Sequence, residues 1–286
     1  MHLLYRPPPP AFSLLDAKNI ILALLATSFI ASSNYVINEW LDRHFDKYHP
    51  IKKNRPAVSV GLKAPIVYLE YAVFTCLGLS ISFLVGRTCF ITVLILWIMG
   101  LVYNVKPIRS KDIAYLDVIS ESLNNALRLL IGWFAVLPLV LPPSSIILGY
   151  WMGGAYLMAI KRYSEYRTID NPEMAGRYRK SFKHYTEKTL LNSSLFYAMF
   201  SVFLIGAFLI KYHIEYIIAM PFICILYVIY FNLSFQKDST AQAPEKLLKE
   251  KKLMIFMLFL IVQIGVLTFI KIPVLQVLMN TVLVGI

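Results

Sequence analysis

Asn38, Asp42 and Asp46 are spaced four residues apart, directly after an apolar stretch of the chain. On an α-helix this spacing places the three oxygen-bearing side chains on one face, and Glu39 borders that face. Carboxylates at this spacing repel each other unless a cation lies between them. Mg²⁺ prefers oxygen ligands and often shares them with a phosphorylated substrate, so the pattern predicts a magnesium site formed by these four residues.

A basic loop follows the acidic residues and contains Lys47, Lys52, Lys53 and Arg55. Such cations can bind the phosphate oxygens that a magnesium ion leaves free, and we expect Lys53 and Arg55 at the site. The competing interpretation is a solvated helix end of mixed charge, without a specific ligand.

The segment N-E-x-x-D-x-x-x-D and the following H-P-x-K-K-N-R-P resemble the first aspartate-rich motif of the UbiA superfamily of intramembrane transferases. The usual form has aspartate where this chain has Glu39, which keeps an oxygen ligand on a longer arm. The resemblance covers about residues 34–188. It implies an all-α membrane protein in which helices surround a central cavity and Mg²⁺ binds a diphosphate leaving group.

Composition independently predicts a polytopic membrane helical bundle, because 58% of the 286 residues are hydrophobic and only 15% are charged. Soluble domains have about 25% charged residues. A membrane-spanning helix needs about 20 apolar residues. The predicted spans are 19–37, 64–85, 89–104, 114–141, 145–160, 190–210, 214–233 and 253–270. We expect one domain over 1–286, with an N-terminal stub at 1–18 in place of the first of the nine family helices, and an interfacial or re-entrant tail at 272–286.

Lys and Arg are concentrated in alternate loops. The loops at 38–63, 105–113, 161–189 and 234–252 contain 22 of the 28 basic residues, and the opposite side has five. This bias places the rich loops in the cytoplasm. The net charge of +12 is therefore a topology signal, and we expect no nucleic-acid partner.

A second group of polar residues begins in the loop after the third predicted span. Asn104, Lys106, Arg109 and Lys111 are candidate phosphate ligands, although a role in topology alone explains the three cations equally well. In the next span, Asp117, Glu121, Asn124 and Arg128 share one helical face. Ionisable residues inside a bilayer normally face a cavity or a partner. We therefore expect Asp117 and Arg128 at a polar cavity wall; the alternative is an internal pair of Glu121 with Asn124 or Arg128.

The third group is Lys161, Arg162 and Glu165, at the mouth of the following span. Prenyl-transferring members of the superfamily carry a second D-x-x-x-D motif in this region, and this chain has none. Its K-R-x-x-E sequence resembles the signature of the decaprenyl-phosphate phosphoribosyltransferase branch. The rest of the basic segment 167–188 fits a solvated amphipathic helix and loop.

These features predict a transferase that displaces diphosphate with the help of Mg²⁺. The first hypothesis is phosphoribosyl transfer from phosphoribosyl diphosphate to a polyprenyl phosphate, and the second is prenyl transfer from a polyprenyl diphosphate to a small aromatic or lipid acceptor. Asp42 and Asp46 are then catalytic through the metal. Either Glu165 or Asp117 orients a ribose hydroxyl or acts as a base, and the sequence leaves that choice open. A transporter is a third hypothesis, which paired breaks in the spans would favour.

Overall fold

The computed structural model describes residues 13–236, 239–242 and 244–275. These residues contain no β-strand. In chain order their α-helices are α1 (Leu14–Asp46), α2 (Pro56–Ser59), α3 (Ala64–Val85), α4 (Arg87–Asn104), α5 (Leu116–Val136), α6 (Ser144–Ile169), α7 (Pro172–Tyr178), α8 (Glu187–Tyr212), α9 (Met220–Leu233), α10 (Pro244–Leu247) and α11 (Lys251–Phe269). The all-α prediction is confirmed. Most of the predicted stub at 1–18 and of the tail at 272–286 lies outside the described residues.

Helical segments occupy all eight predicted spans. Six of them are long and apolar enough to cross a membrane by length and composition: α1, α3, α4, α8, α11 and the segment Ile214–Leu233 that contains α9. The helices α5 and α6 fall outside this group because they carry the ionisable residues of the second and third motifs. Helix α6 also continues to Ile169, so the K-R-x-x-E sequence lies on a helix rather than in a loop.

Local sequence sets several helix ends. The Ser13 hydroxyl accepts a hydrogen bond from the Asp16 backbone N–H at 3.1 Å, and the Asp16 carboxylate accepts from the Ser13 backbone N–H at 2.8 Å, which forms a capping box at α1. Between α3 and α4 the chain reverses at Gly86, whose φ of +148° suits a residue without Cβ. Two long antiparallel helices are thereby joined by a single residue.

The bundle has two halves that meet where α5 packs against α6. In the first half α1 packs against α3, α4 and α5, and in the second α6 packs against α8, with α9 and α11 beyond. Ile30, Val93 and Ile131 are buried in the core of the first half. Ala155, Ala159 and Tyr156 are among the buried residues that form the core of the second.

One end of the bundle, which we call the motif end, consists of residues 38–60, 103–121 and 161–185. It has its own aromatic core, in which Tyr163, Tyr178, Phe182 and Tyr185 are buried against each other. This core fixes α7 and the turn that follows it against α6. The segment that was predicted from the sequence to be a solvated helix and loop is therefore packed against the ends of the helices.

The close approach of α1 and α3 generates a stability prediction. A Cβ at Gly78 would lie 2.7 Å from Ile30 Cγ1 and 3.1 Å from the Ala26 carbonyl oxygen. Overpacking of this kind costs about 1–3 kcal/mol. We expect Gly78→Val to lower the melting temperature of the detergent-solubilised protein by several degrees. Gly265→Val is the matched control, since nothing lies within 4 Å of the added Cβ; equal melting temperatures of the two variants would contradict the prediction.

Candidate active site

The last turns of α1 carry the predicted metal ligands. Asp46 is 2% exposed, and its Oδ2 accepts from Arg55 Nη1 at 2.8 Å. Asp42 Oδ1 accepts from Arg109 Nη2 at 2.8 Å and from Lys111 Nζ at 2.6 Å. Cations from two different loops therefore converge on one face of α1.

Lys111 connects α1 to the loop between α4 and α5. Its Nζ donates to Asn38 Oδ1 at 2.8 Å and to Asn104 Oδ1 at 2.7 Å, in addition to Asp42. Burial lowers the pKa of Lys111 to about 8, and the attraction of Asp42 opposes this shift. The nearby Arg109 has a φ of +34°, in the left-handed region that few residues other than glycine adopt. The turn directs both cations toward α1.

The third motif meets the first at Glu165. Arg162 Nη1 donates to Glu165 Oε2 at 2.8 Å, and Lys52 Nζ donates to Glu165 Oε1 at 2.7 Å. Arg162 Nη2 donates to the hydroxyl of Tyr103 on α4 at 2.9 Å. Burial disfavours the charge of Lys52, but the Glu165 carboxylate and the Tyr178 hydroxyl together outweigh burial and raise the pKa of the ammonium. The two sequence motifs, more than a hundred residues apart, thus share one ion pair.

Asp117 lies completely buried at the start of α5. Its carboxylate accepts from the Ser181 hydroxyl at 3.0 Å and from the Tyr185 hydroxyl at 2.8 Å. Arg162 Nε lies 3.4 Å and Arg179 Nη1 3.9 Å from Asp117 Oδ2. Asp117 therefore holds two guanidinium groups and is not free to contact a ligand.

Two cations of the cluster, Arg179 and Lys180, were not predicted as site residues from the sequence. Lys52 and Lys111 were among the cations considered for phosphate binding, and the structure brings both into the cluster. Arg179 is partly buried beside Tyr103, and its Nε has no hydrogen-bond partner among the described residues. The segment around it was predicted to be solvated. Its aromatic residues, such as Phe182, were the available signal that it packs instead. For Lys52 and its neighbour Lys53, only the turn geometry decides which ammonium points inward.

His49 shapes the turn that presents Lys52. The backbone N–H groups of Ile51 and Lys52 donate to His49 Nδ1 at 3.2 and 3.3 Å. Burial lowers the pKa of His49 to about 4, so the imidazole is neutral at pH 7 and acts as an acceptor. A role in shaping the loop explains this histidine without a phosphate contact.

Other predicted site residues lie outside the ion-pair cluster. Lys53 and Lys106 are exposed and form no ion pair with the described residues. Glu39 accepts from the backbone N–H of Ala57 at 3.2 Å, so it stabilises the start of α2. Lys161 is half-buried on α6, close enough to Glu165 for their charges to interact.

Two cavities between the helices differ in polarity. A polar one of about 160 Å³ lies between α1, α4 and α5, and its walls include Asn104, Glu121, Asn124 and Arg128. The predicted polar face of α5 is therefore a cavity wall, except for the buried Asp117. The alternative pairing of Glu121 with Asn124 or Arg128 is not among the contacts of the described residues.

The second cavity is apolar, with a volume of about 630 Å³, and lies between α6, α8, α9 and α11. Asn125 on α5 reaches its wall. A Cβ at Gly154 would lie 2.4 Å from Asn125 Nδ2, so glycine permits the close packing of α5 on α6 here. Neighbouring residues of α5 thus face the two different cavities.

The donors on α1 suit a hard divalent cation. Asn38, Asp42 and Asp46 offer only amide and carboxylate oxygens, and Mg²⁺ commonly binds through one or two carboxylates, with water and phosphate completing its shell. The described residues contain no cluster of three or more His, Cys, Asp or Glu side chains poised around a metal. A site with two carboxylates completed by substrate is the type that these residues fit.

The UbiA prenyltransferase family model matches residues 8–272. A protoheme IX farnesyltransferase from Geobacillus sp. is 26% identical over 162 residues, which are 54% of this chain and 50% of that protein. A decaprenyl-phosphate phosphoribosyltransferase from Corynebacterium glutamicum is 26% identical over 178 residues, 59% of this chain and 49% of that protein. The chain spans about half the length of the curated relatives it matches.

The fold has a solved counterpart. A UbiA homologue from Archaeoglobus fulgidus, solved with GPP and Mg²⁺, superimposes with a TM-score of 0.69 and 22% identity, over 91% of this chain and 90% of the homologue. This likeness confirms the predicted helical architecture. The bound molecules are properties of that homologue.

The burial of Asp117 leads to a second stability prediction. Removing one partner from a buried ion pair costs about 3–5 kcal/mol, because the other charge stays buried and unpaired. We expect Asp117→Asn to lower the melting temperature and to increase proteolysis between Arg167 and Lys188. Glu173→Gln removes a charge from an exposed pair, worth at most about 1 kcal/mol, and is the control. An Asp117→Asn variant as stable as this control would show that Asp117 does not support the cluster.

Proposed function

Because this chain belongs to the UbiA prenyltransferase family, we propose that it is a magnesium-dependent intramembrane transferase that moves a phosphoribosyl group. The donor is phosphoribosyl diphosphate, and the acceptor is a polyprenyl phosphate. The observation that carries this assignment is the Lys52–Glu165–Arg162 ion-pair group. It lies where prenyl-transferring members of the superfamily have their second aspartate motif.

The excess of positive charge at the motif end supports the proposal that both the donor and the acceptor are phosphorylated. Among the described residues, seven cationic side chains form ion pairs with five carboxylates there, an excess of two positive charges. The cations are Lys52, Arg55, Arg109, Lys111, Arg162, Arg179 and Lys180, and the carboxylates are Asp42, Asp46, Asp112, Asp117 and Glu165. A second aspartate pair would remove this excess. The seven cations can therefore bind a phosphate group of the donor or of the acceptor in addition to the diphosphate.

Asn38, Asp42 and Asp46 would hold the magnesium ion. A bound Mg²⁺ would supply positive charge that stabilises the departing diphosphate. Arg55, Arg109 and Lys111, which pair with these carboxylates, donate to the phosphate oxygens that remain. When these three cations exchange their carboxylate partners for phosphate oxygens, each of them still has an anionic partner.

The transfer needs no acid or base from the protein. The bond between ribose C1 and the diphosphate oxygen breaks, and its electron pair leaves with the diphosphate. An anionic oxygen of the polyprenyl phosphate forms the new bond to C1, so no proton leaves the acceptor. Asp117 and Glu165 are both 0% exposed and paired with cations. We therefore assign them as positioning residues for Arg162, Arg179 and Lys52 rather than as a general base.

The two cavities suit the two substrates. The apolar cavity of about 630 Å³ matches an isoprenoid chain, which brings its phosphate toward the motif end. The polar cavity of about 160 Å³ matches the sugar of the donor, and Arg128 in its wall is a cation for the remaining phosphate. The basic loops at the motif end support donor entry from the cytoplasmic side.

Prenyl transfer to a small aromatic or lipid acceptor is the second candidate. The family, the farnesyltransferase relative and the GPP bound to the archaeal homologue all favour it. The phosphoribosyltransferase relative favours the first candidate at the same identity. The absence of a second aspartate motif decides our order between them.

The substrate class is tested with protein purified into nanodiscs and supplied with Mg²⁺. We expect a labelled lipid product from labelled phosphoribosyl diphosphate and a polyprenyl phosphate, and loss of that product when the metal is chelated with EDTA. Parallel reactions contain a polyprenyl diphosphate and an aromatic acceptor. Product in those reactions alone would reverse the order of the two candidates.

The metal site is tested with Asp42→Asn, which keeps the shape of the side chain and removes its charge. We expect turnover to fall at least about 100-fold, because the carboxylate no longer binds Mg²⁺. Asp170→Asn is the matched control. Asp170 is exposed at the end of α6 with a φ of +51°, a conformation that asparagine tolerates. Melting curves verify folding, and unchanged turnover of a folded Asp42→Asn protein would contradict the proposed site.

A further inference from the structure

The walls of the polar cavity are dominated by carboxamides. Asn34, Asn38, Asn104 and Asn124 line it together with a single carboxylate, Glu121, and a single cation, Arg128. Such a surface is rare inside a bilayer, where each polar group costs free energy unless it is satisfied. The composition therefore indicates a ligand with hydrogen-bonding groups rather than a hydrocarbon chain.

Several acceptors in this wall have no partner. The Oδ1 atoms of Asn34 and Asn124 are buried and accept no hydrogen bond from the described residues. Glu121 forms no hydrogen bond or ion pair with the described residues and faces the cavity. A carboxylate accepts hydrogen bonds and cannot donate them. The matching ligand must donate hydrogen bonds to Glu121 and can accept them from Arg128, and it cannot place an anion against Glu121. Neutral hydroxyl groups meet both conditions, whereas a prenyl chain has no hydrogen-bond donor.

The polar cavity lies directly beneath the level of α1 at which Asp42 and Asp46 form their ion pairs. Asn38 is one helical turn deeper than Asp42 on α1, about 6 Å along the axis. Lys111 bridges the two levels, because its Nζ donates to Asn38, Asn104 and Asp42. A group bonded to a diphosphate held at Asp42 and Asp46 enters this cavity first.

We propose that the polar cavity is a subsite for a furanose ring, in which Glu121 and Asn124 accept hydrogen bonds from the ring hydroxyls. This inference rests on the proposed phosphoribosyl transfer and adds its specificity determinant. Glu121 differs from the two carboxylates that the sequence suggested for the sugar, since Asp117 and Glu165 are buried in ion pairs away from the cavity wall. Glu121 sets which sugar is accepted and takes no part in breaking the bond at C1.

The experiment compares phosphoribosyl diphosphate with its arabinosyl epimer, in which the C2 hydroxyl is inverted. The two donors have similar electronic properties at C1, so a difference in kcat/KM reports recognition of the hydroxyl. We expect the wild-type protein to prefer the ribosyl donor about 100-fold or more, because a site built to bind a hydroxyl leaves polar groups unpaired with the wrong donor. Glu121→Ala should reduce this preference to about tenfold or less, mainly through slower use of the ribosyl donor.

Glu121→Gln is the isosteric second variant, and Asn124→Ala should reduce the preference in the same direction. Glu173→Ala is the matched control, since Glu173 is exposed on α7 and pairs only with Arg177 among the described residues. A full preference retained by folded Glu121→Ala and Asn124→Ala proteins would overturn the subsite while leaving phosphoribosyl transfer intact. No transfer from either ribosyl or arabinosyl donor by the wild-type protein would overturn both proposals.

Discussion

Neutralisation of buried charge is the constraint on which the motif end depends. Asp42 and Asp46 lie at the end of a membrane-spanning helix, where an unpaired carboxylate would be costly. Cations from the loops before α2 and before α5 pair with them. The same requirement holds Glu165 between Lys52 and Arg162. Because Asp42 and Glu165 pair with cations from distant parts of the chain, these pairs fix the loops over the bundle.

Polarity changes in layers along α1 toward the membrane interior. Ion pairs at Asp46 and Asp42 come first, then the carboxamides of Asn38 and Asn34, and Ile30 of the apolar core follows. Each step is one helical turn, so a single face of one helix presents three chemical environments. A hydrophilic donor of the proposed kind, with a diphosphate and a polyol, matches the first two layers. The apolar cavity beyond α5 remains for the lipid.

The sequence predicted more of the fold than of the site. Hydrophobic spans long enough to cross a bilayer allow few other structures, so the eight helical segments followed from composition and length. The spacing of Asn38, Asp42 and Asp46 likewise fixed their common face. By contrast, the sequence could not distinguish Lys53 from Lys52, because a turn stabilised by His49 decides which side chain points inward.

Sequence by itself therefore determined the helices, the family motifs and the type of ligand atom that each motif offers, since all of these depend on local spacing and composition. Only the tertiary structure decided which charges pair. Asp117 is a buried anchor for Arg162 and Arg179, whereas Glu121, four residues along the same helix, faces a cavity. The two carboxylates share a helical face in the sequence pattern. What separates them is the packing of the segment 178–185 over the start of α5, a long-range contact that helical periodicity does not encode.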